Sequence, residues 1–191
     1  MPILEDKVAI VTGAGRGIGR GVAKLMAAEG ASVVVCDLGV NVDGTGADVS
    51  VAQQVVNEIG EAGGKAVACT ESVALMDGGE KIVQTAVDNF GKLDIVVTVA
   101  VFSAAISAWL SSCRENTGDD VIAVHLKGTF TVVKHASILF RQQRSGRIIT
   151  FSSTSGLYGN SRSELRSGAQ RWASSWVTRR LRRGTWGVSR W

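Results

Sequence analysis

At 191 residues the chain is long enough for one domain with a proper core and cramped for two. Hydrophobic residues make up 45% and charged residues 20%, which excludes a disordered or fibrous chain, and no apolar run is long enough to cross a bilayer. The formal net charge of +4 is uneven: residues 1–160 hold 13 Lys+Arg against 16 Asp+Glu, whereas 161–191 hold eight Arg against one acid, Glu164, so no polyanion partner is implied for the body of the chain.

The body alternates strand and helix patterns. Val8–Val11 is a short β-branched run that suits a strand buried on both faces. From Ile18 to Glu29, apolar Ile18, Val22, Leu25 and Met26 follow helical spacing, and Gly30 closes the helix. Ala31–Cys36 reads as the second strand, and the Gly- and Asp-rich stretch Gly39–Asp48 as a loop. Val51–Ile59 predicts a helix stopped near Gly60, followed by a third strand at Ala66–Cys69. Gly78–Phe90 predicts a helix with Ile82, Ala86 and Phe90 on one face. Leu93–Val97 is a fourth strand, Asp119–Phe140 a long helix and Arg147–Phe151 a fifth strand. Strands alternating with helices of this length predict a doubly wound α/β fold of Rossmann type, a parallel sheet covered on both faces.

Directly after the first strand stands Thr12-Gly13-Ala14-Gly15-Arg16-Gly17-Ile18-Gly19, opening the first helix. Glycine at 13 permits a tight strand-to-helix turn, and glycine at 17 lets backbone approach a pyrophosphate with no Cβ in the way. Glycine at 19 lets the helix pack closely on the sheet. The first N–H groups of a helix lack intrahelical partners, and with the helix dipole they attract an anion. A glycine motif alone is weak; the strand before it and the helix after it give this one its meaning. Asp37 ends the second strand, 18 residues after Gly19. A carboxylate there accepts hydrogen bonds from a ribose 2′-hydroxyl and repels a 2′-phosphate, which favours NAD over NADP. Leu38 offers a phosphate nothing, although Arg16 in the loop pulls the other way. The alternative reading of Asp37 is a cap on the following turn.

These residues, with Gly91–Val97, Val124–Phe130 and Gly146–Ile149 running into Ser152-Ser153, resemble the short-chain dehydrogenase/reductase family over most of residues 5–160. Cys36–Gly39, Gly64–Ala68, Glu71-Ser72-Val73, Ser155–Asn160 and His125 resemble, more narrowly, the (3R)-hydroxyacyl-CoA dehydrogenase part of the peroxisomal multifunctional enzyme and its bacterial relatives. The resemblance implies a cofactor site of Thr12, Gly13, Gly15, Arg16, Gly17, Ile18, Gly19, Asp37, Ser72, Val73 and Ala100. It implies a 3-hydroxyacyl or 3-oxoacyl thioester, or another secondary alcohol or ketone, as small-molecule substrate. It also implies Ser153 as the catalytic serine that binds the substrate oxygen, beside a Tyr acid/base and a Lys that lowers the Tyr pKa. Related enzymes pair the helix corresponding to Asp119–Phe140 in dimers and tetramers, so a homo-oligomer is compatible with the sequence.

Two departures stand out. The family's Tyr-x-x-x-Lys should begin thirteen residues after Ser153, where Arg166 stands, with Gln170 four further on. Arginine is permanently protonated and cannot serve as the acid/base. Tyr158 is the only tyrosine, and it matches a non-catalytic family position. After the fourth strand, Thr98-Val99-Ala100-Val101 replaces the family's Asn-Asn-Ala-Gly, and the pattern resumes only at Asp119. Ala108–Arg114 can be encoded by GCATGGCTTTCATCCTGTCGG, which in a shifted register reads Met-Ala-Phe-Ile-Leu-Ser, the kind of segment the family places there. Residues near 98–117 and 161–191 are therefore expected to be out-of-frame translation. The expected organisation is a nucleotide-binding domain over 1–160, its sheet incomplete on the C-terminal side, and a non-native Arg/Trp/Ser-rich tail over 161–191.

The remaining features read blandly. Cys36 and Cys69 lie in apolar strand-like runs and suit reduced core residues; with Cys113 they are odd in number and lack metal-ligand spacing. His125 and His135 sit ten apart without a Cys or acid partner at ligand spacing, so no metal is expected. Arg179–Arg183 near Trp176 and Trp186 imitates a nucleic-acid patch, but a disordered tail explains it more simply, and no nucleic-acid or membrane partner is expected. Met1–Asp6 lacks the basic and apolar regions of a signal peptide, so the expected compartment is the cytoplasm. Two functional readings remain: an NAD-dependent dehydrogenase impaired by its missing Tyr and Lys, or a non-catalytic NAD-binding fragment.

Overall fold

Short runs of β-branched residues form a five-stranded parallel sheet in the computed structural model, which describes residues 2–40, 48, 50–101 and 119–152. In chain order the elements are β1 (Val8–Thr12), α1 (Gly17–Ala28), β2 (Ser32–Cys36), α2 (Ser50–Glu61) and β3 (Lys65–Cys69). They continue with α3 (Met76–Phe90), β4 (Ile95–Thr98), α4 (Gly128–Gln143) and β5 (Arg147–Thr150). The strand order is β3-β2-β1-β4-β5. The chain thus winds outward from β1 through β2 to β3, then crosses to the far side of β1 and continues through β4 to β5. The gap between the carboxyl ends of β1 and β4 is the switch point at which doubly wound sheets bind ligands.

Alternate residues of each strand feed two cores. One face carries Ala9, Val11, Val33, Val35, Ile95 and Val97 against Ala23, Met26 and Ala27 of α1 and Ala52, Val55 and Ile59 of α2. The other carries Val8, Ile10, Val34, Cys36, Cys69 and Val96 against Ile82, Val83 and Ala86 of α3 and Val132, Ala136 and Phe140 of α4. β1 is buried along its whole length, as a central parallel strand must be when helices cover both sides. Each fully buried Val or Ile there contributes about 1.5–3 kcal/mol.

Three expectations are corrected. Ile18 and Leu25 do not face the core; they are 65% and 64% exposed, and α1 instead buries Gly19, Ala23, Met26 and Ala27. Small residues win that face because α1 lies so close to the chain beneath it that larger side chains would not fit. α2 ends at Glu61, near Gly60 as expected, but Gly60 is not the residue that closes it. Gly63, at φ +83°, makes the turn, its N–H donating to Gly60 O at 2.9 Å while Gly64 N–H donates to Ile59 O at 2.9 Å. A helix end of this kind needs a left-handed residue, and Gly60 keeps right-handed helical geometry. The long helix expected at Asp119–Phe140 is helical from 119 but widens into a π-helical stretch, Ile122–Lys127, before α4. An expanded turn of this kind leaves no mark on hydrophobic periodicity, and such turns gather at functional sites.

Among the described residues no helix is long and apolar enough to cross a membrane.

Candidate dinucleotide site

The site is assembled where β1, β2, β3 and β4 end. Thr12, 1% exposed, closes β1, and its Oγ1 accepts the N–H groups of Val99 (3.2 Å) and Ala100 (3.3 Å). One buried hydroxyl therefore clamps the loop after β4 onto the loop after β1. Gly13 turns left-handed at φ +66°, and a Cβ on it would lie 2.7 Å from Ala100 Cα. Both the turn and the close approach of two backbones require glycine here.

The next glycines divide their labour differently from expectation. A Cβ on Gly19 would meet the Gly13 carbonyl and Ala14 Cα, so the first turn of α1 packs on the glycine loop itself. Gly17, at φ +50°, has nothing among the described residues within 4 Å of where its Cβ would stand. Open space above a left-handed glycine at a helix start is room for a ligand group rather than for protein. No side chain of the described residues caps α1, and its first turn holds no acid. Its leading N–H groups and the positive end of its dipole are left for an anion, so the cradle fits a pyrophosphate.

Asp37, half-buried, follows β2 directly. Its Oδ2 accepts Gly15 N–H at 2.8 Å and its Oδ1 accepts Gly39 N–H at 2.8 Å. The Gly39 bond is the turn cap foreseen as the alternative reading. The Gly15 bond does something further: it ties the carboxylate to the phosphate loop, so one residue locks β2's exit against β1's. A Cβ on Gly15 would come within 2.9 Å of that carboxyl, so only glycine leaves it in place. A carboxylate oxygen has two lone pairs, and among the described residues each oxygen of Asp37 uses only one, leaving the other for a ribose hydroxyl. Arg16 donates from Nη1 to Val40 O at 3.1 Å.

Ser72 and Val73 stand beyond the end of β3. Asp37 N–H donates to Cys69 O at 2.9 Å, and the Cys36 thiol donates to Glu71 O at 3.7 Å, which sets this segment beside Asp37. Sequence reasoning missed what holds it. Thr131 Oγ1 on α4 donates to Val73 O at 2.6 Å, and Gly128 offers a bare surface to the Val73 side chain, its Cβ position 2.8 Å from Val73 Cγ2. Gly79 of α3 in turn lies against Thr131 backbone. The glycine doublet Gly78-Gly79 early in a helix was the available signal. The structure thus brings together Thr12, Gly13, Gly15, Arg16, Gly17, Ile18, Gly19, Asp37, Ser72, Val73 and Ala100, while Ser153 lies outside the described residues. Among the described residues no group of three His, Cys, Asp or Glu could hold a metal.

Known proteins share this fold. The sequence model of the short chain dehydrogenase family matches residues 7–169. A Mycobacterium tuberculosis protein described as a short-chain type dehydrogenase/reductase is 46% identical over 160 residues, which are 84% of this chain and 55% of that one. The mouse peroxisomal multifunctional enzyme type 2 is 44% identical over 156 residues, 82% of this chain and 20% of that protein. A 3-oxoacyl-[acyl-carrier-protein] reductase of Synechocystis is 36% identical over 160 residues, 84% of this chain and 61% of that one. The crystal structure of a short chain dehydrogenase from Mycobacterium avium superposes with a TM-score of 0.87 at 40% identity, covering 98% of this chain and 67% of that one. The chain thus spans 55% of the length of its Mycobacterium tuberculosis relative.

Proposed function

Because this chain belongs to the short-chain dehydrogenase family, we propose that it is built to bind NAD and to act on 3-hydroxyacyl or 3-oxoacyl thioesters. The observation that carries the cofactor choice is the Asp37 carboxylate, held by Gly15 and Gly39 N–H groups where a ribose 2′-hydroxyl would lie. A 2′-phosphate brought to the same place would meet a fixed negative charge. The substrate class is supported by the names of relatives, a peroxisomal multifunctional enzyme and a 3-oxoacyl reductase. Two free buried cysteines accord with a reducing compartment, and the cytoplasm is the proposed one.

The bound nicotinamide would supply the hydride acceptor or donor. The chain's own share is to hold it: N–H groups at the α1 start for the pyrophosphate, Asp37 for the ribose, and Thr12 to fix the Ala100 loop beside it. Ser153 is proposed to bind the substrate oxygen by hydrogen bond. Arg166 and Gln170 stand in the sequence where the family carries the Tyr acid/base and its Lys. Turnover should fall by at least the ~10²–10⁴-fold that a positioned acid/base contributes.

Thr98 supports the out-of-frame reading of the loop after β4. Its Oγ1 is buried without a hydrogen-bond partner among the described residues, at the position where the family carries an asparagine. The gene read across codons 95–191 tests this: a shifted frame should contain Asn-Asn-Ala-Gly and Tyr-x-x-x-Lys, and their absence from every frame would end the idea. The function is tested by titrating the chain with NADH and NADPH by fluorescence, then assaying 3-hydroxybutyryl-CoA oxidation. NADH binding with turnover at or near background is expected, and a preference for NADPH would overturn the cofactor choice. The second reading, a non-catalytic NAD-binding fragment, rests on the same Asp37 geometry; any turnover that purification does not remove would sink it.

A further inference from the structure

Cys36 and Cys69 end β2 and β3, and they are direct partners in the parallel register of those strands. Register partners in a parallel pair project to the same face, here into the core beneath α3. Neighbouring strands run about 4.8 Å apart, within the roughly 4.4–6.8 Å between Cα atoms that a disulfide spans. Both thiols are free, at 1% and 5% exposure. Their surroundings are not inert. The Cys36 thiol donates to Glu71 O at 3.7 Å, and Thr85 Oγ1 from α3 donates to Cys69 Sγ at 3.8 Å.

We propose that Cys36 and Cys69 are a redox dithiol that a peroxide closes to a disulfide, loosening the adjoining nucleotide site. The two sulfurs already interact unequally. The neighbouring Cys36 thiol pulls the Cys69 pKa down to about 6, while Cys36 itself is pushed well above the usual thiol range by Cys69 beside it and by burial. Of the two, Cys69 is the sulfur that gives up its proton more readily, and the thiolate is the nucleophile. It attacks one oxygen of hydrogen peroxide, the O–O bond breaks, and hydroxide leaves, giving a sulfenic acid on Cys69. The Cys36 sulfur then displaces the sulfenic oxygen as water, forming the S–S bond. Two thiols lose two electrons and two protons in all, and the peroxide becomes two waters.

The consequence for the nucleotide rests on the NAD reading above. Asp37 is bonded covalently to Cys36, and its N–H donates to Cys69 O. Closing the sulfurs to about 2.05 Å turns both side chains out of their present positions and removes the proton by which Cys36 holds Glu71 O, next to Ser72 and Val73. Asp37 and the Ser72–Val73 segment are both displaced from one event.

The test uses the full chain with Cys113→Ser, which leaves two thiols. After hydrogen peroxide, remaining thiols are blocked with N-ethylmaleimide and the protein is digested for mass spectrometry. A Cys36–Cys69 linked peptide is expected, lost with dithiothreitol and absent from Cys36→Ala and from Cys69→Ala. Recovery of both cysteines as alkylated thiols, or of Cys69 only as sulfinic acid, would overturn the dithiol. Alongside, NADH affinity should fall about tenfold on oxidation and recover with reductant, with Cys36→Ala unresponsive to peroxide. An affinity unchanged by a confirmed disulfide would overturn the coupling. If the reduced protein binds no NADH, the cofactor reading fails, and the linked peptide still decides the dithiol.

Discussion

Asp37→Asn changes one oxygen into an amide nitrogen and leaves the shape alone. In the native protein both carboxylate oxygens accept backbone N–H groups at 2.8 Å, from Gly15 and from Gly39. The asparagine can accept from one of them only; its NH₂ must face the other donor, so one bond is lost and two donors are opposed. A hydrogen bond to a charged group contributes about 1.5–3 kcal/mol, and the half-buried position lets water replace part of it, so a loss of about 1–2 kcal/mol is expected. For a chain of this size that lowers Tm by roughly 2–8 °C. The second effect falls on the ligand. The ribose loses an ionised acceptor, and NADH should bind about tenfold more weakly, equivalent to ~1.4 kcal/mol. NADPH, relieved of a fixed negative charge, should bind as well as before or better. Differential scanning fluorimetry reads the first effect and nucleotide fluorescence titration the second. A variant with unchanged Tm would show that the Gly15 and Gly39 bonds do not hold the loop. A variant in which both nucleotides weaken equally would show that Asp37 does not discriminate at the ribose.

Gly79→Ala should destabilise by about 1–3 kcal/mol, because its Cβ would stand 2.7 Å from Thr131 Cβ and 2.8 Å from Thr131 C, and backbone cannot yield. Gly21→Ala, in α1 with nothing among the described residues within 4 Å, should stabilise by roughly 0.5–1 kcal/mol, and urea unfolding of the two variants should move in opposite directions. Thr12→Val preserves volume but leaves the N–H groups of Val99 and Ala100 without their acceptor. It should cost about 1–3 kcal/mol in chemical denaturation, and a neutral result would remove the clamp from the argument. Glu58 is held down to about 2 by hydrogen bonds from Arg20 and Lys24, below an ordinary 4.5. A depressed carboxylate stabilises the fold above its unfolded pKa and loses that contribution as pH falls toward the folded one. The Tm gap between the native chain and Glu58→Gln should therefore be constant above pH ~5 and close between about 4.5 and 2; a gap that persists at pH 2 would refute the pairing.

Local chemistry made much of this protein readable from its residues. Runs such as Val8–Thr12 and Ser32–Cys36 are β-branched and apolar, a pattern that serves only a strand covered on both sides, so the parallel sheet and its order of elements could be foreseen. The glycine loop and Asp37 were legible for the same reason: a turn, a bare backbone and a carboxylate at a strand end are needs of one short segment each. Tertiary structure decided everything that depends on distance between segments. Only packing shows that Ile18 and Leu25 stay outside while Gly19 and Ala23 go in, because helix-to-loop closeness, not hydrophobicity, sets that face. Only the register of β2 on β3 turns two ordinary core cysteines, 33 positions apart in the chain, into neighbours. And only the fold places Thr131 on Val73 and Thr12 on Ala100, since hydrogen bonds across 58 and 88 positions leave no periodicity behind.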